Sequence, residues 1–339
     1  MEFDLIDRIR ARAPARHDVI LGIGDDAAIV QLPAGRQLVV ATDTLNSGVH
    51  FPPDTAPADI GWKALAVNLS DLAAMAAEPA WCTLSLSLPG SDARWLDGFL
   101  DGFLELAVRH RVALIGGDTT RGPLSIGVTV HGLVEPGRAL RRDGARVGDD
   151  IWVTGTLGDA AGALALLQRV SAPVVASACE AGPILTGDEG GQWDSKALFA
   201  LRSRLDRPTP RVGVGRQLAG VAHAGIDISD GLLADLGHIC RASKVAAEID
   251  VDRLPGSQAL ADSFDQDSRR ELQASGGDDY ELCFTADPEM RERIEAIAAE
   301  ATTAITRVGR VGEGEGVRAV DRDGAQWKSD RNGYIHFSG

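Results

Sequence analysis

The chain has 339 residues, 44% of them apolar, which suits a globular protein with two cores and excludes a largely disordered chain. Asp and Glu number 49 against 34 Lys and Arg, a net charge of −15, so the average surface repels nucleic acid and anionic membranes. We therefore expect any anionic ligand to be held by local devices such as metal ions, backbone N–H groups or single arginines.

The first half of the chain alternates strand-like and helix-like periodicities. The predicted elements are a strand at 38–42, a helix at 58–77, a strand at 81–88, a helix at 91–110, and strands at 112–115 and 124–134. A charged, turn-rich stretch at 135–149 then interrupts the pattern, as a domain linker does. We predict an α/β (or α+β) domain over residues 1–140.

The second half resumes the alternation. Its predicted elements are a strand at 150–154, a helix at 160–170, a helix after Ser229, and strands at 246–249 and 280–285. The segment 171–194 is rich in Ala and Gly and has little periodicity, so it is either a mobile insertion or a helical hairpin. We predict a second α/β domain over residues 148–339.

The cysteines and the N-terminal residues indicate the cellular compartment of the protein. The four cysteines lie far apart and lack the C-x-x-C spacing of zinc sites, which favours buried thiols in a reducing compartment; they are Cys82, Cys179, Cys240 and Cys283. Residues 1–16 lack the apolar core of a signal peptide, and no run approaches the roughly 18 apolar residues of a membrane span. We expect a cytoplasmic protein without a membrane segment.

Five short motifs place aspartates at the predicted ends of strands or helices, where loops can bring them together. They are Gly22–Ala27, Thr42–Thr44, Asn68–Leu72, Gly116–Thr120 and Asp227–Gly231. Each motif alone is more typical of a turn or helix cap than of a functional site. The set is more informative, and so is Asp71, which falls in the apolar helical stretch 63–77, where an unpaired carboxylate is costly to bury.

Converging acids need cations. Two carboxylates about 4 Å apart repel by about 4 kcal/mol at an effective dielectric constant of 20. Oxygen ligands without His or Cys favour magnesium over zinc, and magnesium keeps positions open for water and phosphate oxygens. A cluster of these aspartates therefore predicts a magnesium site for a nucleotide polyphosphate.

Candidate anion-binding features lie beside the acids. Gly116 and Gly117 allow close approach of phosphate to backbone N–H groups, and Ser229 resembles the N-terminus of a helix with its positive dipole end exposed. Arg121, Arg141 and Arg142 offer forked donors, although each is more typically a surface charge.

The common nucleotide-binding motifs are absent from the sequence. No G-x-x-x-x-G-K-[ST] loop occurs, and neither H-R-D nor D-F-G is present. Gly22-Ile-Gly24 begins like a dinucleotide fingerprint, but Asp25 and Asp26 follow it and would repel a pyrophosphate. The sequence therefore argues against a P-loop, a protein-kinase or a Rossmann nucleotide-binding fold.

Taken together, the motifs resemble those of the bacterial thiamine-monophosphate kinase family over almost the whole chain. The matching segments are 22–26, 42–45 with 50–51, 63–73, 116–120, 227–232 and 275–282. The wider superfamily includes aminoimidazole ribonucleotide synthetase, selenophosphate synthetase and a hydrogenase maturation factor. Within it, His50 and the segment 333–337 favour the thiamine kinases.

The resemblance implies an N-terminal domain that dimerises through its sheets into a barrel, a C-terminal α/β domain, and ATP in the cleft between them. The implied ligands of several magnesium ions are Asp26, Thr42, Asp43, Asp71, Asp118, Asp227 and Asp230. The implied ATP contacts are Gly117, Asp118, Arg142 and Ser229. The implied contacts to thiamine monophosphate are His50, Asp278 and Tyr334, of which His50 also fits an ordinary loop histidine and Tyr334 a packed aromatic.

The predicted reaction is direct in-line transfer of the γ-phosphoryl group of ATP to thiamine monophosphate, without a covalent phospho-enzyme. Two alternatives remain open at the level of sequence. One is another ATP-dependent activity of the superfamily, and the other is a non-catalytic, magnesium-stabilised nucleotide-binding dimer that regulates a partner.

Overall fold

The computed structural model describes residues 2–171 and 195–329, and it contains two α/β domains. All of the predicted insertion at 171–194 except its first residue lies outside the described residues. Within the described part of the chain, no helix has both the length and the apolar character needed to cross a membrane.

The N-terminal domain is built on a four-stranded sheet. Its elements are α1 (Glu2–Arg12), β1 (Val19–Leu21), β2 (Ile29–Val30), β3 (Gln37–Asn46), α2 (Pro57–Ala74), β4 (Glu78–Leu88), α3 (Ala93–Arg109), β5 (Ala113–Arg121) and β6 (Ser125–Val134). The strand order is β3-β6-β4-β5, with β4 and β5 parallel and the other pairs antiparallel, while β1 and β2 form a separate hairpin. Strands β3 and β5 are therefore the two edges of the sheet.

Helix α2 is the central helix of the molecule. Pro57 occupies its first turn, where a missing N–H costs nothing, and almost every residue from Ile60 to Ala74 is buried. A helix that is apolar all round must be covered on all sides. Helix α2 packs against α3 and strands β3 and β6 of its own domain and also against residues 212–218 and 224–227 of the second. Polar residues on α2 consequently lie at the contact between the domains.

The C-terminal domain is built on a seven-stranded sheet. Its elements are β7 (Asp150–Thr154), α4 (Asp159–Ser171), α5 (Ser195–Asp206), α6 (Val212–Leu218), β8 (Ala224–Asp227), α7 (Leu232–Ser243), β9 (Ala246–Asp250), α8 (Gln258–Ser263), α9 (Gln266–Ser275), β10 (Leu282–Ala286), α10 (Arg291–Glu300), β11 (Ile305–Gly312), β12 (Gly316–Val320) and β13 (Gln326–Trp327). The strand order is β13-β12-β9-β11-β7-β10-β8, and only β9 and β12 pair in parallel. Strand β8 is an edge strand that packs against α2, so its last residue, Asp227, lies near the N-terminal domain.

Several element boundaries differ from the predicted ones in ways that matter for the site. The predicted strands ending at 42 and 115 continue to Asn46 and Arg121, so Asp43 and Asp118 lie within strands and not in loops. The helix predicted to run to 77 ends at Ala74, because Ala76 adopts a left-handed conformation with φ of 57°. The last predicted strand begins at Leu282, which leaves the preceding acidic motif in a loop.

Candidate active site

A cavity of about 540 Å³ lies between the two domains and is lined by acids from both. The predicted site residues that line it are Thr42, Asp43, His50, Asp71, Asp227, Ser229, Asp230 and Asp278. We call this the acidic cavity. A larger cavity of about 710 Å³ elsewhere on the chain contains none of the predicted site residues.

Helix α2 and strand β8 bring three carboxyl groups of the acidic cavity together. Asp71 lies on α2, Asp43 on β3 and Asp227 at the end of β8. The side-chain oxygen of Asn68, three residues before Asp71 on α2, accepts a hydrogen bond of 3.0 Å from the backbone N–H of Asp43. This contact ties β3 to α2, so the two acids of the N-terminal domain have a defined separation.

The pKa values of these acids are raised. Burial raises the pKa of Asp71 to about 8, and the negative charges of Asp227 and Asp43 add to the increase, while the Arg142 guanidinium opposes it. Burial raises the pKa of Asp227 to about 6, with Asp43 adding to the increase. Burial also raises the pKa of Asp43. The nearby guanidinium of Arg142 therefore does not offset the negative charge of the three carboxylates. This arrangement favours the binding of a cation.

The loop Ser229–Gly231 differs from the predicted open helix N-terminus. Helix α7 begins at Leu232, and the backbone N–H groups of Ser229, Asp230 and Gly231 all donate to Oδ2 of Asp235 at 3.1 Å. The side chain of Asp235 folds back from the first turn of α7 and occupies the donors that were predicted to face phosphate. A helix therefore begins after Ser229 as expected, but the N–H groups of Ser229, Asp230 and Gly231 are bonded to Asp235 and are not free for phosphate.

The remaining predicted ligands line a second cavity of about 670 Å³. Asp26, Gly117 and Asp118 face it, together with helix α1 and the loop at 22–28. Because Thr44, Gly127, Ser85 and Asp118 are successive partners across the sheet, Asp118 lies about 14 Å from Thr44, three strand spacings away. Within one chain, the predicted acids therefore surround two cavities and not one.

Gly117 is explained by strand packing. Its φ is +152°, and a Cβ atom built on it would lie 1.8 Å from the carbonyl oxygen of Leu84 on the adjacent strand β4. Any larger residue would force β5 away from β4. Gly117 therefore allows β5, the strand that carries Asp118, to pair closely with β4. The sequence alone did not distinguish this role from phosphate binding.

A second group of contacts forms one wall of the acidic cavity. His50 accepts a hydrogen bond at Nδ1 from the backbone N–H of Asn46 at 2.9 Å, so Nε2 carries the proton of the neutral ring. Asp278 lies 3.1 Å from the Lys63 ammonium and accepts a hydrogen bond from the Tyr280 hydroxyl at 3.2 Å. The third predicted substrate contact, Tyr334, lies outside the described residues.

The predicted arginines have different environments. Arg142 opens a short 3-10 turn in the linker, and its guanidinium lowers the pKa values of Asp71 and Asp227, so it lies close enough to the acids to act on them. Arg141 forms a forked pair with Asp143, at 2.9 and 2.5 Å. Arg121 lines a small cavity with Thr119 and Thr120, and not the acidic cavity. Arg142 is the arginine best placed for an anion bound there.

Three polar residues near the cavity were not predicted as site residues. They are Lys63, Asp235 and Tyr280. Lys63 and Asp235 each interrupt an apolar helical pattern, and a charged residue on a face expected to be buried signals a specific partner. Tyr280 lies in the segment 275–282, which matches the kinase family, but the orientation of its ring depends on its left-handed backbone, with φ of 50°.

The donor chemistry of the acidic cavity fits magnesium. Among residues 2–171 and 195–329, no three His, Cys, Asp or Glu side chains lie close enough together to hold a metal ion by themselves. The acids instead line an open cavity and offer oxygen ligands only, and burial together with neighbouring carboxylates raises the pKa values of Asp71 and Asp227. Such a site suits an ion that also keeps water and phosphate ligands.

Comparisons with known proteins agree with this arrangement of domains. The family model described as AIR synthase related protein, N-terminal domain, matches residues 24–134, and the corresponding C-terminal domain matches residues 146–322. The thiamine-monophosphate kinase of Salmonella typhimurium is 44% identical, with 99% of this chain and 98% of that protein aligned.

Two solved structures are also similar. The crystal structure of thiamine-monophosphate kinase from Stenotrophomonas maltophilia has a TM-score of 0.84 and 54% identity, covering 95% of this chain and 96% of that one. A structure described as AaThiL complexed with AMPPCP and TMP has a TM-score of 0.74 and 32% identity, covering 99% and 96%. With nearly full-length identity to curated relatives and both domain models matched, the chain belongs to the thiamine-monophosphate kinase family.

Proposed function

We propose that this chain is a cytoplasmic enzyme that transfers the γ-phosphoryl group of ATP to thiamine monophosphate, giving thiamine diphosphate and ADP. The observation that carries the proposal is the acidic cavity, where Asp43 and Asp71 of one domain face Asp227 and Asp230 of the other. Membership of the kinase family supports it, as does the complex of a 32% identical protein with AMPPCP and TMP. The buried, unbridged thiols of Cys82, Cys240 and Cys283 suit a reducing compartment.

The proposed roles give the acidic cavity a nucleotide side and a substrate side, and Asp26, Gly117 and Asp118, which line the second cavity, belong with the nucleotide side. The proposed magnesium ligands are Asp26, Thr42, Asp43, Asp71, Asp118, Asp227 and Asp230. The proposed ATP contacts are Gly117, Asp118, Arg142 and Ser229. His50, Asp278 and Tyr334 are proposed to bind thiamine monophosphate, whose thiazolium ring carries a positive charge that a carboxylate and a tyrosine ring both attract.

The chemistry requires positioning more than proton transfer. The acceptor is a phosphate that is already ionised near neutral pH, so no side chain is needed as a general base. Magnesium, when bound, supplies positive charge between two phosphorylated reactants that repel each other. The chain's contribution is to hold its acids at fixed places on α2, β3 and β8, and to place Arg142 beside them.

A homodimer is part of the proposal. Strand β3 is an edge strand and exposes Leu38 and Val40, at 46% and 56%, which suits a covered face. We propose that two N-terminal sheets close into a barrel with the β5 edge of one copy beside the β3 edge of the other. That closure would bring Asp26 and Asp118 of one copy to the acidic cavity of its partner.

The activity is tested by incubating the protein with ATP, magnesium and thiamine monophosphate and separating the thiamine phosphates by chromatography. The expected result is stoichiometric formation of thiamine diphosphate and ADP. Asp71→Asn is expected to abolish turnover and to leave the fold intact, because it removes a cation ligand without a change of shape. ATP binding without thiamine diphosphate formation by the wild type would contradict the proposal.

The shared site is tested by mixing two inactive variants. Asp43→Asn and Asp118→Asn homodimers are each expected to be inactive. After dissociation and reassociation, the mixture is expected to recover about a quarter of wild-type activity, because half of the dimers are mixed and each of these has one intact site. A mixture as inactive as its parents would show that both acids act within one chain.

A further inference from the structure

Lys63 is a buried cation at the contact between the two domains. It lies on α2, its side chain is 1% exposed, and no site role follows from the sequence motifs. A buried ammonium is strongly unfavourable unless it is paired and hydrogen-bonded. The residues that pair with Lys63 therefore indicate its role.

Both partners of Lys63 belong to the substrate side of the acidic cavity. Its Nζ donates to the carbonyl oxygen of His50 at 2.9 Å and lies 3.1 Å from Oδ1 of Asp278. The Tyr280 hydroxyl donates to the same Oδ1 at 3.2 Å. Oδ2 of Asp278 makes no hydrogen bond within the described part of the chain, although Asp278 lines the cavity. The two donors thus fix the carboxylate by one oxygen and leave the other available.

The backbone around Asp278 needs such support. Asp278 and Tyr280 both have left-handed backbones, with φ of 68° and 50°, which costs about 1–2 kcal/mol for each residue other than glycine. From the C-terminal domain, the backbone N–H of Gly158 donates to Asp279 at 2.9 Å, and Arg211 donates to Glu281 at 2.5 and 2.6 Å. Lys63 adds a contact from the N-terminal domain on the cavity side of the same segment.

We propose that Lys63 is a positioning residue for the cationic ring of the acceptor substrate. It joins the His50 loop to Asp278 across the domain boundary and holds the Asp278 carboxylate with Oδ2 available for the thiazolium of thiamine monophosphate. The proposal rests on the function proposed above, and it makes substrate affinity depend on Lys63 through Asp278. ATP affinity does not depend on this contact, because its partners lie on the substrate side.

The test compares the binding of the two reactants, measured separately by calorimetry with magnesium present. Lys63→Met removes the ammonium and keeps an apolar chain of similar length. The dissociation constant for thiamine monophosphate is expected to rise by about tenfold or more, the effect of losing a hydrogen bond to a charged group. The constant for ATP is expected to change by less than about twofold. Equal losses for the two ligands would overturn the proposal.

Two further variants separate positioning from a general loss of structure. Trp62→Phe is the matched control, because the Trp62 indole N–H makes a neighbouring contact between the domains, donating to the carbonyl oxygen of Pro208 at 2.8 Å, and its ring faces Arg109 and Arg207. It is expected to leave both affinities unchanged. Lys63→Met is also made in an Asp278→Asn background, where both members of the ion pair are replaced by neutral side chains, so the double variant leaves neither charge unpaired even where Lys63→Met alone does not fold.

In that background, Lys63→Met is expected to change the affinity for thiamine monophosphate by less than about threefold, since the group it positions is already altered. A further loss of tenfold or more would overturn the proposal, because Lys63 would then act independently of Asp278. Failure of the wild type to form thiamine diphosphate would instead count against the proposed function. The two failures are therefore distinguishable.

Discussion

Asp71 gives the acidic cavity a measurable effect on stability in the absence of metal. Burial, together with the charges of Asp227 and Asp43, raises the pKa of Asp71 from 3.8 to about 8. Between these values the folded protein holds a proton that the unfolded chain has released. The free energy of unfolding must therefore fall as pH rises from about 4 to about 8.

The size of this effect follows from the shift. Each pKa unit corresponds to about 1.4 kcal/mol, so the upper limit is about 6 kcal/mol, and partial solvent access to Asp71 lowers the expected loss to about 2–3 kcal/mol. Asp71→Asn removes the titration. We expect the metal-free variant to be more stable than the wild type at pH 8 and close to it at pH 5.

The assay is urea unfolding in EDTA at several pH values between 5 and 8, analysed by linear extrapolation. Asp323→Asn is the matched control, since it makes the same exchange on an exposed residue and should follow the wild-type curve. Added magnesium should stabilise the wild type more than Asp71→Asn, because a ligand stabilises the state that binds it. Parallel pH dependences for the wild type and Asp71→Asn would refute the reasoning.

Three other changes probe the supports of the site. Gly117→Ala places a methyl group 1.8 Å from the Leu84 carbonyl oxygen, so we expect a loss of at least about 2 kcal/mol in urea unfolding, and a stable variant would contradict the packing. Asp235→Ala removes the acceptor of three backbone N–H groups, and we expect kcat/KM for ATP to fall by about tenfold or more while Asp235→Asn retains most of it. Tyr280→Phe removes one donor to Asp278, and steady-state kinetics should show KM for thiamine monophosphate rising about threefold with KM for ATP unchanged.

The prediction from sequence was most successful where local pattern and residue chemistry coincide. Helix α2 and strands β4 and β6 follow from their periodicity, and Asp71 stood out because a carboxylate in an apolar helix requires a partner. The family also follows from the motifs, because their order along the chain is preserved. These features depend on residues that are near one another in sequence.

The predicted loops around the acids were less successful. Asp43 and Asp118 were placed after strands, whereas the ladders of β3 and β5 continue through them. A glycine ends a strand in some proteins and allows close strand pairing in others. At Gly117 the backbone of β4 lies so close that only a glycine fits, and β5 continues through it. Similarly, the backbone N–H groups of the loop after β8 donate to Asp235, which lies in the first turn of the following helix, α7.

The sequence alone determined which chemistry is available, namely oxygen ligands in ordered motifs on an acidic chain, because composition and motif order are local properties. Only the tertiary structure decided how those groups are distributed: Asp71 and Asp227 face one cavity, Asp26 and Asp118 face another, and Lys63 reaches Asp278 across the domain boundary. The physical reason is that sheet order and domain packing set distances between residues that are far apart in sequence, and a pair such as Lys63 and Asp278 has no signal in the residues between them.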